Sequence, residues 1–397
     1  MQLLILIIAA YLFMPVIGEL YLLLSGDMVV AGDVTWQLFV NNLIYALIVF
    51  SIVFFLYLKK EINLISFLPS TKDTRSLRRM LVIMIIFCCF VFIFSGYDYL
   101  FKGQNRGDIR VGFGPLGFLY KWITIYATPL IILLTTIIFI TNKKISKKIC
   151  YVIYFLGVLS AFFTGYKFVV IFTLIPVFLL LFYKKNIIKV VLYITPIVLV
   201  ILTFTTRQVM NYSSYNDAFY FIIHRMTVMS AFGTIGVWNY FANGVDIDQS
   251  SKLLYNLFGN TISEHVFGLK FNSVDVLDSN LSRKITYMVY PNWEKAISGT
   301  TNVTVTNFGE AVYILGSFYW IYAIFSGVII SFFLNKIDLF IYKGDILRTC
   351  MYYIFTAAVI LSWLNSSSFL TLFSFPVFLY MIMSYCFLKF ILNTKIV

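Results

Sequence analysis

Long apolar runs recur along the whole chain, and they constrain its fold more than any other feature. A helix needs about 20 apolar residues to cross the hydrocarbon core of a bilayer. The chain is 61% hydrophobic and only 12% charged, against about 25% charged in soluble domains. Ten runs are counted as spans, at 3–24, 37–58, 80–97, 116–140, 149–166, 168–183, 187–206, 311–334, 349–365 and 368–388. The sequence therefore predicts an all-α polytopic membrane protein.

Basic residues are sorted among the connections, and this sorting predicts the orientation of the spans. Alternate connections and the C-terminal tail hold 18 of the 30 Lys and Arg residues but only four of the 17 Asp and Glu residues. The positive-inside rule places these segments in the cytoplasm. Both termini are then cytoplasmic. The chain divides into a seven-span bundle (1–206), an extracytoplasmic region (207–310) and a three-span bundle (311–397).

The same sorting explains the high sequence pI of 9.3 without a nucleic-acid partner. A nucleic-acid-binding groove would gather its basic residues on one exposed face. Here the basic residues are concentrated in the connections that are predicted to be cytoplasmic.

Five cations lie on the side from which positive charge is otherwise depleted. They are Arg106, Arg110, Lys167, Arg207 and Arg225. Charges in or beside a membrane are costly unless they are used, so these residues are candidates for a binding site. Arg106 and Arg110 lie in a Gly-rich loop, and guanidinium groups match phosphate oxygens bidentately. The alternative is a solvated loop in which Asp98 and Asp108 pair with the two arginines.

Lys167 ends a very short connection, Thr164-Gly165-Tyr166-Lys167, that must keep it near the membrane surface. Its alternative role is that of a lysine that snorkels to the interface. Arg207 has only its position to recommend it.

The stretch 218–238 is apolar enough to be an eleventh span, but we expect it to lie at the interface or to re-enter the protein. If this stretch crossed the membrane, residues 246–310 would lie in the cytoplasm, and the basic connections that follow would lie outside, against the positive-inside rule. The stretch carries His224 and Arg225. For His224 a buried structural role is the alternative.

The loop 239–309 mixes aromatic side chains with carboxylates, which suits a carbohydrate ligand because sugar rings stack on aromatic faces. Tyr290 and Trp293 are the aromatic candidates, and the alternative is that they form the loop's own core. His265 is a further candidate for substrate contact, with loop packing as its alternative. Since no second His or Cys lies near it in sequence, no metal site is expected.

The overall plan of the chain resembles the Wzy-type O-antigen polymerases, also called oligosaccharide repeat-unit polymerases. The shared features are about ten spans, a long loop before the last three, an Arg-bearing Gly-rich loop after the third span and the hairpin at 164–167. Many members carry Arg where Lys167 stands. Lysine keeps the positive charge there but lacks the planar guanidinium group that can bind two phosphate oxygens at once.

A few specific residues carry the same resemblance. Arg106 and Gly117 have ten residues between them, as do Arg225 and Gly236, and some members show this spacing in two extracytoplasmic segments. The run 307–316 also resembles the Gly-Glu sequence that begins the family's late spans.

The resemblance implies a GT-C-like bundle in the bacterial inner membrane that works without a metal or other cofactor. A glycan would be transferred from undecaprenyl diphosphate onto the sugar of a second lipid-linked repeat unit at the outer face of that membrane. The product would be O-antigen or a related surface polysaccharide. The implied partners are the lipid-linked donor and acceptor, the lipid bilayer, a chain-length regulator and a flippase.

The resemblance also implies roles for the candidate residues. Arg106 and Arg225 would stabilise the charge of the diphosphate leaving group. Glu310 would act as general base, with Glu264, His265 and His224 as the alternatives. For Glu310 the alternative is a carboxylate that complements a helix dipole. The expected substrate-binding residues are Arg110, Lys167, Arg207, His224, His265, Tyr290 and Trp293.

Two other functions remain open at this point. An O-antigen ligase would use a similar donor, but the His-Asn pair of its large loop is missing, since Val266 follows His265. A polysaccharide flippase or transporter would be expected to have two similar halves and short loops, and the loop 239–309 argues against it.

The orientation predicts that position 280 faces the outside. A cysteine introduced by Asn280→Cys should react with a membrane-impermeant thiol reagent added to intact spheroplasts. Reaction only after the membrane is opened would overturn the orientation.

Overall fold

The computed structural model describes the chain as a bundle of helices. It covers residues 2–27, 29, 31–57, 73–98, 116–142, 145–164, 169, 173–178, 212–242, 257–258, 281–289, 303–365 and 368–392, with isolated positions between 192 and 207. Among these residues the only extended pairing is one isolated bridge, between Val29 and Gly32. The prediction of an all-α polytopic membrane protein is confirmed.

Eight of the described helical stretches are long and apolar enough to cross a membrane. They are Leu4–Ser25, Trp36–Leu56, Thr74–Gly96, Leu116–Thr141, Tyr215–Ala242, Asn307–Tyr342, Ile346–Asn365 and Phe375–Leu392. Seven of them match predicted spans, and Tyr215–Ala242 is the additional one. The predicted span at 149–166 is a helix of 17 residues, Lys147–Phe163. Those at 168–183 and 187–206 lie largely outside the described residues.

The helices are labelled in chain order. They are α1 (Gln2–Ser25), α2 (Trp36–Leu56), α3 (Asp73–Val91), α4 (Leu116–Thr141), α5 (Lys147–Phe163), α6 (Tyr215–Met226), α7 (Val228–Ala242), α8 (Leu281–Val289), α9 (Asn307–Leu315), α10 (Tyr319–Tyr342), α11 (Ile346–Asn365) and α12 (Phe375–Leu392). A 3₁₀ segment, Phe369–Phe373, joins α11 to α12. Thr35 caps α2 by accepting a hydrogen bond from the Leu38 backbone N–H at 3.2 Å, as expected of an N-cap threonine.

Helices α2 and α10 run parallel and set the two ends of the bundle. The Tyr319 hydroxyl donates to Asn41 Oδ1 at 2.9 Å, and Asn335 Nδ2 donates to the Leu56 carbonyl at 2.7 Å. The starts of α2 and α10 therefore lie at one end, which also holds Glu310 and is called the Glu310 end.

The opposite end is called the basic end, because it gathers the cations that flank the described helices. They are Arg75, Arg78, Arg79, Lys147, Lys148, Lys336, Lys343, Arg348 and Lys389. Ser76 Oγ donates to the Ile391 carbonyl at 3.1 Å, which places the start of α3 beside the end of α12. The separation of charge agrees with the sorting of the connections in the sequence.

Helix α9 does not continue into α10 but folds back against it at Gly316. The Tyr45 hydroxyl contacts both Asn307, at the start of α9, and Ser326, two turns into α10. Gly316 has a φ of +55°, a conformation that glycine adopts without steric cost. The start of the predicted span at 311–334 is therefore corrected, since residues 311–315 belong to α9 and the long helix begins only at Tyr319. The straight helix is α10, and α9 is a short re-entrant helix packed beside it.

The chain reaches α9 through residues 303–306, which are non-helical and lie inside the bundle. Threonine and serine hydroxyls accept hydrogen bonds from their backbone N–H groups. Val303 N donates to Thr286 Oγ1 at 2.8 Å, Val305 N to Ser282 Oγ at 3.2 Å and Thr306 N to Thr234 Oγ1 at 3.3 Å. Non-helical backbone at membrane depth is tolerated when protein groups satisfy it. Helices α7 and α8 supply those groups here.

Helices α6 and α7 meet at a break at Thr227, and both contact the Glu310 end. The hydroxyls of Tyr220 on α6 and Tyr21 near the end of α1 lie 2.8 Å apart. Asn239 on α7 donates to the carbonyl of Asp33, in the connection from α1 to α2, at 3.0 Å. A straight helix would separate positions 220 and 239 by about 28 Å. Since Tyr215–Ala242 is also long and apolar enough to cross a membrane, the expectation that this segment re-enters the protein stays a prediction.

The hydroxyls that hold residues 303–306 predict a stability effect. Thr286→Val keeps the side-chain shape but leaves the buried Val303 N–H without its acceptor. We expect it to lower the free energy of unfolding in detergent by about 1–3 kcal/mol.

Thr124→Val is the matched control, because the equally buried Thr124 hydroxyl donates to carbonyls of its own helix. Its effect on the same denaturation curve should be clearly smaller. Equal effects of the two substitutions would contradict the role assigned to Thr286.

Candidate functional site

Glu310 lies in the first turn of α9 and points into the bundle. The residue is 4% exposed. Aromatic packing fixes the start of the helix, since the Phe308 ring lies 5.4 Å from that of Tyr45 and 6.3 Å from that of Trp238. These contacts hold the Glu310 backbone between α2, α7 and α10.

The Glu310 carboxylate accepts three hydrogen bonds from three different elements. Oε2 accepts from the Tyr322 hydroxyl of α10 at 2.7 Å and from Trp363 Nε1 of α11 at 3.0 Å. Oε1 accepts from the backbone N–H of Phe369 at 2.6 Å, at the start of the 3₁₀ segment. One carboxylate therefore ties α9, α10, α11 and the 3₁₀ segment together.

This geometry favours a structural role for Glu310 over the general-base role expected from the sequence. A general base must come within hydrogen-bond reach of the proton that it removes. Both oxygens of Glu310 already accept from internal donors, and the residue is almost fully enclosed. Glu310 is better described as a positioning residue.

A second buried polar group lies one turn before Glu310. Asn307 Oδ1 accepts from the Tyr45 hydroxyl, which also lies 3.3 Å from Ser326 Oγ. Asn307 Nδ2 has no hydrogen-bond partner among the described residues. These side chains join α2, α9 and α10 at the depth where α9 begins.

The structure also contains a buried carboxylate that the sequence interpretation missed. Glu19 on α1 is fully buried, and its Oε1 accepts from Asn42 Nδ2 of α2 at 2.7 Å. Its Oε2 has no partner within the described part of the chain. An acidic residue inside an apolar run was the available signal, since such residues are rare in membranes and usually functional or paired.

Arg225 and His224 occupy the last turn of α6. Arg225 is exposed, and its guanidinium carbon lies 5.9 Å from the centre of the Phe221 ring. His224 is partly buried beside Tyr220 and Phe232, at ring distances of 5.8 and 6.5 Å. The arginine is therefore accessible to a ligand, while the histidine packs among aromatic rings.

Arg207 lies at the other end of the same helix. Its guanidinium carbon is 4.1 Å from the centre of the Tyr215 ring, at the first residue of α6. Positions 215 and 225 are separated by roughly 15 Å along a helix. Arg207 therefore lies beside the first residue of α6, whereas Arg225 lies in its last turn, and the structure does not bring them together.

One further cation at this end was not singled out in the sequence. Lys121 is exposed in the first turns of α4, with its Nζ 5.7 Å from the centre of the Tyr380 ring. The other predicted site residues lie outside the described residues. They are Arg106, Arg110, Lys167, His265, Tyr290 and Trp293.

The spacing between Arg225 and Gly236 has a packing explanation. A Cβ at Gly236 would lie 2.8 Å from Ile285 Cγ2 and 3.0 Å from Val289 Cγ1. Glycine at this position therefore lets α8 pack closely on α7. The other pair with this spacing is Arg106 and Gly117, and Arg106 lies outside the described residues.

No metal centre is formed by the described residues, which contain no group of three or more His, Cys, Asp or Glu side chains placed to hold an ion. Comparison with known proteins adds no relative, since no family model, curated protein or solved structure matches the chain.

The hydrogen bonds of Glu310 predict a large effect of its removal. Glu310→Ala leaves the donors on Tyr322, Trp363 and Phe369 without their acceptor, and each buried donor left unsatisfied costs about 1–3 kcal/mol. We expect a loss of roughly 3 kcal/mol or more in the free energy of unfolding in detergent, with a smaller loss for Glu310→Gln.

Asp217→Asn is the control, because Asp217 is an exposed carboxylate in the first turn of α6. It should leave stability nearly unchanged. If Glu310→Gln kept full stability while removing activity, the carboxylate would have a chemical role and the structural assignment would be wrong.

Proposed function

We propose that the protein polymerises oligosaccharide repeat units carried on undecaprenyl diphosphate. The product is O-antigen or a related surface polysaccharide, and the reaction takes place at the outer face of the bacterial inner membrane. In this proposal about ten helices cross the membrane. The Glu310 end faces outward, and the basic end and both termini face the cytoplasm.

The observation that carries the proposal is the placing of exposed cations at the Glu310 end, beside α6 and α9. Arg225 and Lys121 are exposed there, at the end opposite the nine cations of the basic end. A lipid-linked diphosphate sits at a membrane boundary, with its charge just outside the hydrocarbon core. Cations at that boundary complement it, as guanidinium groups complement phosphate oxygens.

The proposed reaction joins two lipid-linked glycans. The acceptor hydroxyl oxygen forms a bond to the anomeric carbon of the donor sugar, and the bond from that carbon to the diphosphate oxygen breaks. The bonding electrons leave with the diphosphate, and the hydroxyl proton passes to a base. Arg225 and Arg106 stabilise the growing negative charge, an effect that in other enzymes amounts to about 10²–10³-fold in kcat per donor.

The remaining residues take supporting roles in this proposal. Arg110, Lys167 and Arg207 bind the phosphates, and Tyr290 and Trp293 stack on sugar rings of the acceptor. With Glu310 enclosed, His224 and His265 are the histidines available as base. Glu310 keeps the re-entrant helix in position.

The proposal predicts that Arg225 is needed for polymerisation but not for folding. Arg225→Ala, produced in a strain lacking the native protein, should reduce long surface glycan to single repeat units, and Arg106→Ala should do the same. Gel profiles of the surface glycan measure this, with membrane levels of each variant measured alongside.

Arg348→Ala is the matched control, because Arg348 is an exposed arginine at the basic end that pairs with Asp345 at 3.4 Å. It should keep the long-chain profile. Long chains in both Arg106→Ala and Arg225→Ala would refute the site.

The deletion strain separates the three candidate functions. Single repeat units indicate a lost polymerase. Unmodified acceptor with accumulated polymer indicates a ligase, and accumulation of lipid-linked units on the cytoplasmic face indicates a flippase.

A further inference from the structure

Helices α3 and α5 pack against each other, and the start of each carries basic residues. At the Glu310 end, Ser95 Oγ, in the continuation of α3, donates to the Phe163 carbonyl at the end of α5 at 3.0 Å. Arg78 precedes Ser95 by about 26 Å along a helix, and Lys148 precedes Phe163 by about 23 Å. The two cations therefore lie at nearly the same height at the basic end.

Both helices show the same surface pattern, a cation followed by two apolar residues four and seven positions later. Residues with this spacing lie on one face of a helix. All six side chains are exposed. They are Arg78, Val82 and Ile85 on α3, and Lys148, Val152 and Phe155 on α5.

The two patterned faces border each other. Phe92 and Phe163 lie about four turns beyond Arg78 and Lys148, so they are on about the same sides of their helices. The centres of the Phe92 and Phe163 rings are 5.0 Å apart. The exposed faces therefore flank one groove on the outside of the bundle, which is called the α3–α5 groove.

The cations at the top of the α3–α5 groove are available to a ligand. Arg75 lies one turn before Arg78, and both arginines and Lys148 are exposed and form no ion pair within the described part of the chain. The acidic side chains that the structure describes at this end, Asp338 and Asp345, belong to α10 and to the turn before α11. The top of the groove thus has a strong positive potential.

The direction of the two helices adds to this potential. Both α3 and α5 begin at the basic end, and a helix N-terminus carries a partial positive charge. The apolar span of α3 starts at Thr74, so Arg75 and Arg78 lie in its first turns. This is the depth at which lipid phosphates meet the hydrocarbon core.

The groove selects its ligand by combining charge with an apolar strip. A soluble anion would use only the cations, whereas Val82 and Phe155, 57% and 65% exposed, continue the groove towards the membrane centre. A zwitterionic lipid would bring its own positive group close to three cations. A lipid with a net negative head group satisfies both halves of the groove.

We propose that the α3–α5 groove is a binding site for an anionic phospholipid in the leaflet at the basic end. The guanidinium groups of Arg75 and Arg78 bind phosphate oxygens, and Lys148 adds a point charge from the other side. An acyl chain lies along the apolar strip. This inference does not depend on the proposed function, because it concerns the opposite end of the protein.

Thermal unfolding of the full-length protein in detergent tests the site. The midpoint Tm is measured while phosphatidylglycerol, phosphatidylcholine with the same acyl chains, or inorganic phosphate is added. Phosphatidylglycerol should raise Tm in a saturable way, since a ligand that binds only the folded state stabilises it. The other two probes should leave Tm nearly unchanged.

Two variants remove the cations of the groove. Arg75→Ala/Arg78→Ala/Lys148→Ala and the single change Arg78→Glu should each raise the phosphatidylglycerol concentration for half of the effect by about tenfold or more. Because the side chains are exposed, Tm without lipid should stay close to that of the unchanged protein.

The matched controls remove cations of the same end that lie on α10 and α11. They are Lys336→Ala/Lys343→Ala/Arg348→Ala and Lys343→Glu, and both should respond to phosphatidylglycerol as the unchanged protein does.

The outcomes decide the assignment. A response lost in the groove variants and kept in the controls supports the site. Equal loss in groove and control variants would show general attraction between charges and would refute it. An equal response to phosphatidylcholine would show that the head group is not recognised, and an equal response to inorganic phosphate would show that the apolar strip has no part in binding; either result overturns the proposal.

Discussion

The structure depends on how the chain satisfies its backbone polar groups where it enters the bundle without a helix. No water is available in a membrane interior to replace a missing hydrogen bond. Residues 303–306 therefore need the hydroxyls of Thr286, Ser282 and Thr234, which come from helices α7 and α8. Once this segment is held inside, α9 can start at the depth of Tyr45 and run back towards the Glu310 end. The chain then turns at Gly316 and continues as the straight helix α10.

The same constraint explains why many polar side chains in the bundle have structural roles as hydrogen-bond partners. Glu310 joins four elements, and Asn307 and Tyr45 join three. A carboxylate that is almost fully buried and accepts from Tyr322, Trp363 and Phe369 is better suited to holding α9 and the 3₁₀ segment in register than to contacting a substrate. The proposed function accordingly assigns the chemistry to groups at the surface, among them the exposed Arg225.

Helices α6 and α9 both contact α7 at the Glu310 end, where the proposed site is placed. Helix α7 packs between α1 and α9, so the bend at Thr227 and the start of α9 are parts of one assembly.

The sequence by itself determined the class of fold and the separation of charge. Both depend on local runs, because about 20 apolar residues predict a span and neighbouring basic residues predict its orientation. Hydropathy could not show that 307–315 turns back on α10, since the two apolar stretches are contiguous and only the contacts of Asn307 with Tyr45 reveal the fold. It also could not show that Glu19 meets Asn42. Only the tertiary structure decided these points, because each is a contact between residues distant in sequence.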